Sequence, residues 1–115
     1  MNRFLLHAEG FFILMISIYF YDQNQYSWFL FFILLFAPDI SILGYLINKK
    51  VGAVFYNVFH TYSVPIAVIL FSLIFANSLF VSIGLIWTAH IGMDRLFGFG
   101  LKYTTDFKDT HLNRI

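Results

Sequence analysis

Four long apolar runs, residues 4–21, 28–47, 51–75 and 78–97, take up nearly all of the 115-residue chain. As helices, each is long enough to cross a hydrocarbon core about 30 Å thick. Helices are the form these runs require, because lipid offers no partner for backbone N–H and C=O groups and a helix satisfies its own. The alternative, a membrane barrel, needs segments of about ten residues with alternating polarity, and residues 28–36 do not alternate. Composition agrees. Hydrophobic residues make up 60% of the chain and charged ones only 11%, against about 25% charged in soluble domains. The expectation is one all-α membrane domain, residues 1–115, with four antiparallel transmembrane helices in an up-down bundle and a short polar tail, 98–115.

The links are too short for any other path: 22–27, 48–50 and 76–77 allow only tight turns between neighbouring helices. The first run is read as a span and not a signal peptide, since Glu9 interrupts it and no small-residue cleavage site follows it. Orientation follows from basic residues. Arg3, Lys49, Lys50, Arg95, Lys102, Lys108 and Arg114 fall on the side shared by the N-terminus, the second link and the tail, and none falls on the other. The positive-inside rule then places both termini in the cytoplasm, with the chain multi-pass in the cell (inner) membrane. Trp28, Tyr19, Tyr21 and Tyr26 gather at the opposite interface, where amphipathic aromatics anchor. The bilayer is the expected partner, with a homo-oligomer as a further option. A formal net charge of +1 without a basic stripe excludes nucleic acid, and the absence of cysteine excludes thiolate chemistry and sulfur-ligated zinc.

Ionisable groups inside spans are expensive and mark function by default. Five stand out: Glu9, Asp39, His60, His90 and Asp94. At 1.5 Å rise per residue they lie roughly 8, 12, 13, 10 and 5 Å in from the cytoplasmic ends of their spans, so all occupy one leaflet. His90 and Asp94, four apart, share a helix face. Asn57, His60 and Thr61 fall within about 100° on the third helix, flanked by Tyr56. Asp39 follows Pro38, whose missing N–H loosens the helix and frees carbonyls. Imidazoles and carboxylates together suit a divalent metal. The same groups could equally form a closed hydrogen-bond network bracing four helices, or a path for ions or protons.

Other features have plainer readings. Gly84, Thr88 and Gly92 form a small-residue ridge for close helix packing. Gly98 and Gly100 end the fourth helix. His7 lies near enough to the interface to be solvated. The tail carries Lys102, Asp109 and His111 and is either a solvated end or a cap over the polar centre, while Arg95 and Lys102 could meet lipid phosphates.

Several consecutive motifs carry a resemblance: APDISILGY at 37–45, GAVFYNVFHTY at 52–62, GLIWTAHIGMDRLFGFGLKY at 84–103 and FKDTHL at 107–112. Together they resemble the signature of the domain of unknown function 4260 family. The resemblance implies a small bacterial integral membrane protein and names no reaction. Its motif positions correspond here to Glu9, Asp39, Asn57, His60, His90, Asp94, Lys102, Asp109 and His111. The leading functional expectation is a metal-dependent membrane-embedded enzyme acting on a lipid or amphiphile, with Asp39, His60, His90 and Asp94 holding the metal and Glu9 serving as base. The alternatives are a non-catalytic protein whose polar groups brace the bundle or bind a partner, and a small oligomeric transporter.

Overall fold

Three polar residues set where helices begin. Ser27, Asn48 and Asn77 each accept, through the side-chain oxygen, a hydrogen bond from the backbone N–H three residues on, at 3.2, 2.8 and 3.2 Å. Such caps satisfy N–H groups that the first turn leaves without partners. The computed structural model describes residues 1–114, and in it these caps open α2 (Trp28–Leu34), α3 (Lys49–Phe59) and α5 (Ser78–Leu96). The remaining helices are α1 (Asn2–Gln23) and α4 (Ser63–Ile74), and a 3₁₀ segment, Ala37–Leu46, continues from α2. The described residues thus form an all-α fold without a strand; one isolated bridge joins Lys102 to Thr110.

Two of the expected spans are interrupted, and each interruption has a proline beside it. Pro38 stands at the start of the 3₁₀ segment, where its ring and missing N–H prevent the α-helix from continuing unchanged. The run 51–75, read as one helix, divides into α3 and α4, which meet at 41°. Pro65 occupies the first turn of α4; it has no N–H to offer the Thr61 carbonyl and its ring crowds that position. The helix therefore stops at His60, which becomes the C-cap of α3. Asn2–Gln23 and Trp28–Leu46 are long and apolar enough to cross a membrane, and the bent α3–α4 pair makes a third candidate if taken as one span.

The fold is built around α5. Between Gly84 and Arg95 only Trp87 and Met93 are not buried, and α1, α2, α4 and the 3₁₀ segment all pack against it. The small residues of α5 serve two neighbours. A Cβ at Gly84 would press on Ile69 of α4, at 2.5 Å from its Cγ1, whereas a Cβ at Gly92 would lie 2.8 Å from the Gly10 carbonyl of α1. Outer faces are apolar: Phe12, Phe29, Phe32, Leu70 and Phe71 are each more than half exposed, as suits a surface solvated by hydrocarbon. Tyr21 departs from the expected interface role. It is fully buried, its ring lies 5.0 to 5.4 Å from those of Tyr26, Trp28 and Phe31, and its hydroxyl donates to the Ser27 carbonyl. The aromatic cluster closes the α1–α2 link from within.

The tail folds back. Asn57 of α3 donates to the Lys102 carbonyl at 2.7 Å and accepts from its N–H at 2.6 Å, and Leu112 is fully buried. Gly98, at φ +94, turns the chain out of α5, a conformation glycine adopts without steric cost.

The α1–α5 seam gives a direct test. Gly92→Leu should destabilise the protein by about 1–3 kcal/mol or more, because the added side chain meets backbone and not flexible side chains. Thermal melting in detergent should register the loss, and Leu79→Ala, at an exposed position of the same helix, should shift the midpoint little. Equal midpoints for Gly92→Leu and wild type would overturn the close-packed seam.

Candidate metal centre

Asp39 comes from the 3₁₀ segment, His60 from the C-cap of α3, and His90 and Asp94 from successive turns of α5. Each is placed by a local feature already described. The break at Pro38 turns Asp39 inward, the stop before Pro65 leaves His60 at a helix end, and the i, i+4 spacing puts His90 and Asp94 on one face. Both histidines are fully buried; the side-chain exposures of Asp94 and Asp39 are 11% and 37%. One nitrogen or oxygen from each of the four lies within 4.8 Å of the others.

Five short separations define the group. His60 Nε2 lies 3.1 Å from Asp39 Oδ1 and 3.5 Å from Asp94 Oδ2. His90 Nε2 lies 3.2 Å from each of those oxygens, and the two Nε2 atoms are 3.2 Å apart. A tetrahedral ion with bonds of about 2.0–2.1 Å requires its ligand atoms to stand about 3.3 Å apart. The five separations of 3.1–3.5 Å fit that requirement, and the two carboxylate oxygens lie within 4.8 Å of each other.

Two simple protonation patterns each leave a conflict. His60 Nδ1 is 2.8 Å from the Tyr56 carbonyl, which can only accept, so Nδ1 carries a hydrogen. A neutral His60 then points a lone pair from Nε2 at two carboxylate oxygens. Protonating both imidazoles removes that conflict but sets two N–H donors against each other at 3.2 Å. A cation at the centre would satisfy all four lone pairs at once. The Tyr56 carbonyl supplies the outer partner that orients a ligating histidine. His90 Nδ1 is buried and has no such partner among the described residues.

The surroundings are built from the same elements. The Tyr56 ring stacks on His60 with centroids 3.7 Å apart and planes 5° from parallel. Arg95 is buried and donates from Nη2 to the His60 carbonyl at 2.7 Å and from Nη1 to the Phe99 carbonyl at 2.8 Å, closing the end of α3 where carbonyls lack helical partners. Lys102 is buried as well, its Nζ donating to the Phe107 carbonyl at 2.7 Å and lying 4.3 and 3.6 Å from the ring centroids of Tyr56 and Phe107. Burial pushes its ammonium below the ordinary lysine value, opposed by the carboxylates of Asp94 and Asp39.

The structure also places the remaining candidates and corrects the expectations for Arg95, Lys102 and His7. Glu9, expected as the base, is exposed on α1 and stands outside the group of four. Helical depth alone could not show that it points away. Arg95 and Lys102 do not reach outward to lipid phosphates; both are turned inward at 6% exposure. His7 is not simply solvated, since its Nδ1 lies 2.8 Å from the Leu96 carbonyl. Of the tail candidates, Asp109 pairs with Arg114 at 2.6 Å on the surface, and the hydrogen bonds from Arg114 and Thr105 hold its carboxyl at about 2. His111 accepts from the Leu101 N–H at 2.8 Å and braces the tail itself; burial lowers its imidazole from the ordinary value. Asn57 holds the tail through both of its hydrogen bonds to Lys102. Lys102 is among the candidates for a cap over the centre, and the tail does bring it inward; Arg95 is the inward cation that sequence reading missed. A signal existed for Arg95, which lies only about 100° around the helix from Asp94.

No curated protein and no solved structure matches this chain. A family described as a domain of unknown function, DUF4260, matches residues 3–115, a span that includes all four residues of the centre and both buried cations. The chain is a member of the DUF4260 family.

Proposed function

We propose that this protein is a multi-pass membrane protein carrying a single divalent metal in the half of the bilayer nearest its termini, and that the centre acts on a lipid or other amphiphile. The convergence of two imidazole nitrogens and two carboxylate oxygens from three separate elements, each nitrogen 3.1–3.5 Å from the other and from both oxygens, carries the reading. Asp39, His60, His90 and Asp94 would hold the ion, with donors that suit zinc, iron or manganese. When bound, such an ion lowers the pKa of a coordinated water to about 7 and supplies a nucleophile. Asp39 is the most exposed of the four, so its side is where a substrate reaches the centre. In this arrangement α1, the broken Trp28–Leu46 segment, the bent α3–α4 pair and α5 make four crossings in up-down order, with both termini cytoplasmic. Removing Arg95 and Lys102 from the count of surface charges leaves Arg3, Lys49, Lys50, Lys108 and Arg114 all on that side.

Metal analysis of protein purified without chelator and supplemented with zinc, iron or manganese tests the centre. About one ion per chain is expected. His60→Ala and His90→Ala should each abolish stoichiometric binding while leaving a folded bundle. Asp94→Asn should weaken it at least as much as the about 10–100-fold that outer-shell losses cost. If the four groups only brace the helices, wild type will hold no metal and the same substitutions will lower the thermal midpoint. Topology is checked separately: reporter fusions after Asn48 and at the C-terminus should read cytoplasmic and one after Asn24 external. An external C-terminus would overturn the orientation.

A further inference from the structure

Beside the metal ligands lies an apolar cleft of about 280 Å³. Its walls are sequence neighbours of the centre. Ala37 and Pro38 precede Asp39, Phe59 precedes His60, and Ile86 and Trp87 stand one turn before His90. The Trp87 indole N–H donates to the Phe59 carbonyl at 2.6 Å, which ties α5 to the end of α3 and fixes the two walls relative to each other. A chain lying in this cleft would bring its end to the centre at the Asp39 side.

Charge defines what that end should be. Asp39 and Asp94 bring two negative charges to the region, and Arg95 and Lys102 two positive ones. Neither cation has a carboxylate within salt-bridge distance among the described residues. Arg95 is bound to backbone carbonyls and Lys102 to a carbonyl and two ring faces. With neutral imidazoles, the four side chains balance. A divalent ion then leaves two positive charges uncompensated in a poorly solvated site, where an unpaired charge is costly. A ligand bearing two negative charges restores neutrality, and a singly charged carboxylate does not.

Building on the metal reading, we infer that the substrate is an amphiphile with a phosphate-type head and a single apolar chain, the head on the metal at the Asp39 side and the chain in the cleft formed by Ala37, Pro38, Phe59, Ile86 and Trp87. Arg95 and Lys102 supply the field that favours the dianionic head and are positioning residues.

Cobalt-loaded protein in a neutral maltoside detergent tests this, with the visible absorption of the ion as readout. Octyl phosphate, inorganic phosphate, octanoate and octanol are the probes. Octyl phosphate should bind at least tenfold more tightly than inorganic phosphate, and octanoate and octanol more weakly than octyl phosphate. Ala37→Phe, which fills the cleft, should remove the gain from the chain and leave inorganic phosphate affinity unchanged; partition into micelles is the same for both proteins and cannot imitate that result. Lys102→Met keeps the stem packed on Tyr56 and Phe107 and should weaken phosphate binding at least threefold at equal cobalt content. If inorganic phosphate binds as tightly as octyl phosphate, the site takes free phosphate and the amphiphile inference falls. It falls too if octanoate matches octyl phosphate or if Ala37→Phe retains the gain from the chain. Protein that takes up no cobalt overturns the metal reading and this inference with it, whereas loaded protein indifferent to octyl phosphate overturns this inference alone.

Discussion

Hydrocarbon gives a charged or polar side chain no partner, so such a group must find its partners inside the protein. This constraint organises the molecule around His90 and Asp94. Both lie on α5, the helix that the others enclose, and satisfying them requires Asp39 and His60 to arrive from different elements at the same depth. The irregularities of the backbone serve that arrival. The 3₁₀ stretch carries Asp39 to the centre, and the end of α3 leaves His60 at a corner, with its carbonyl free for Arg95 and its ring free for the centre.

The polar centre and the packing seams are separate devices on one helix. Gly84 and Gly92 allow α4 and α1 to approach the backbone of α5, and this contact depends on shape alone. The group of four depends on charge. Within lipid, where there is little hydrophobic drive for helix association, close packing of small residues of this kind holds neighbouring helices together. The tail adds a third device. Clamped by Asn57, it brings the ammonium of Lys102 against the outer face of Tyr56, whose inner face lies on His60. A residue remote in sequence is thereby linked to the centre through a single aromatic ring.

The sequence determined the class of fold, because the length and apolarity of its runs admit helices only, and it determined most helix starts, because Ser27, Asn48 and Asn77 act within one turn of themselves. It also determined which ionisable groups share a depth, since rise per residue is a local property, and which share a face on α5. What it left open was direction. Depth placed Glu9 level with the other four, yet the rotation of α1 about its axis turns it outward, and that rotation is set by the fit of Gly10 against Gly92. Arg95 read as an interface cation because position along a helix says nothing about which way a long side chain folds, and Lys102 read either as another or as part of a capping tail because no local rule fixes the path of a tail. Only the tertiary structure, by bringing the end of α3, the 3₁₀ segment and the tail together around α5, decided that these two cations lie inside and that four ligand atoms come within a metal's reach, because both outcomes depend on contacts between segments whose separation in space no local rule fixes.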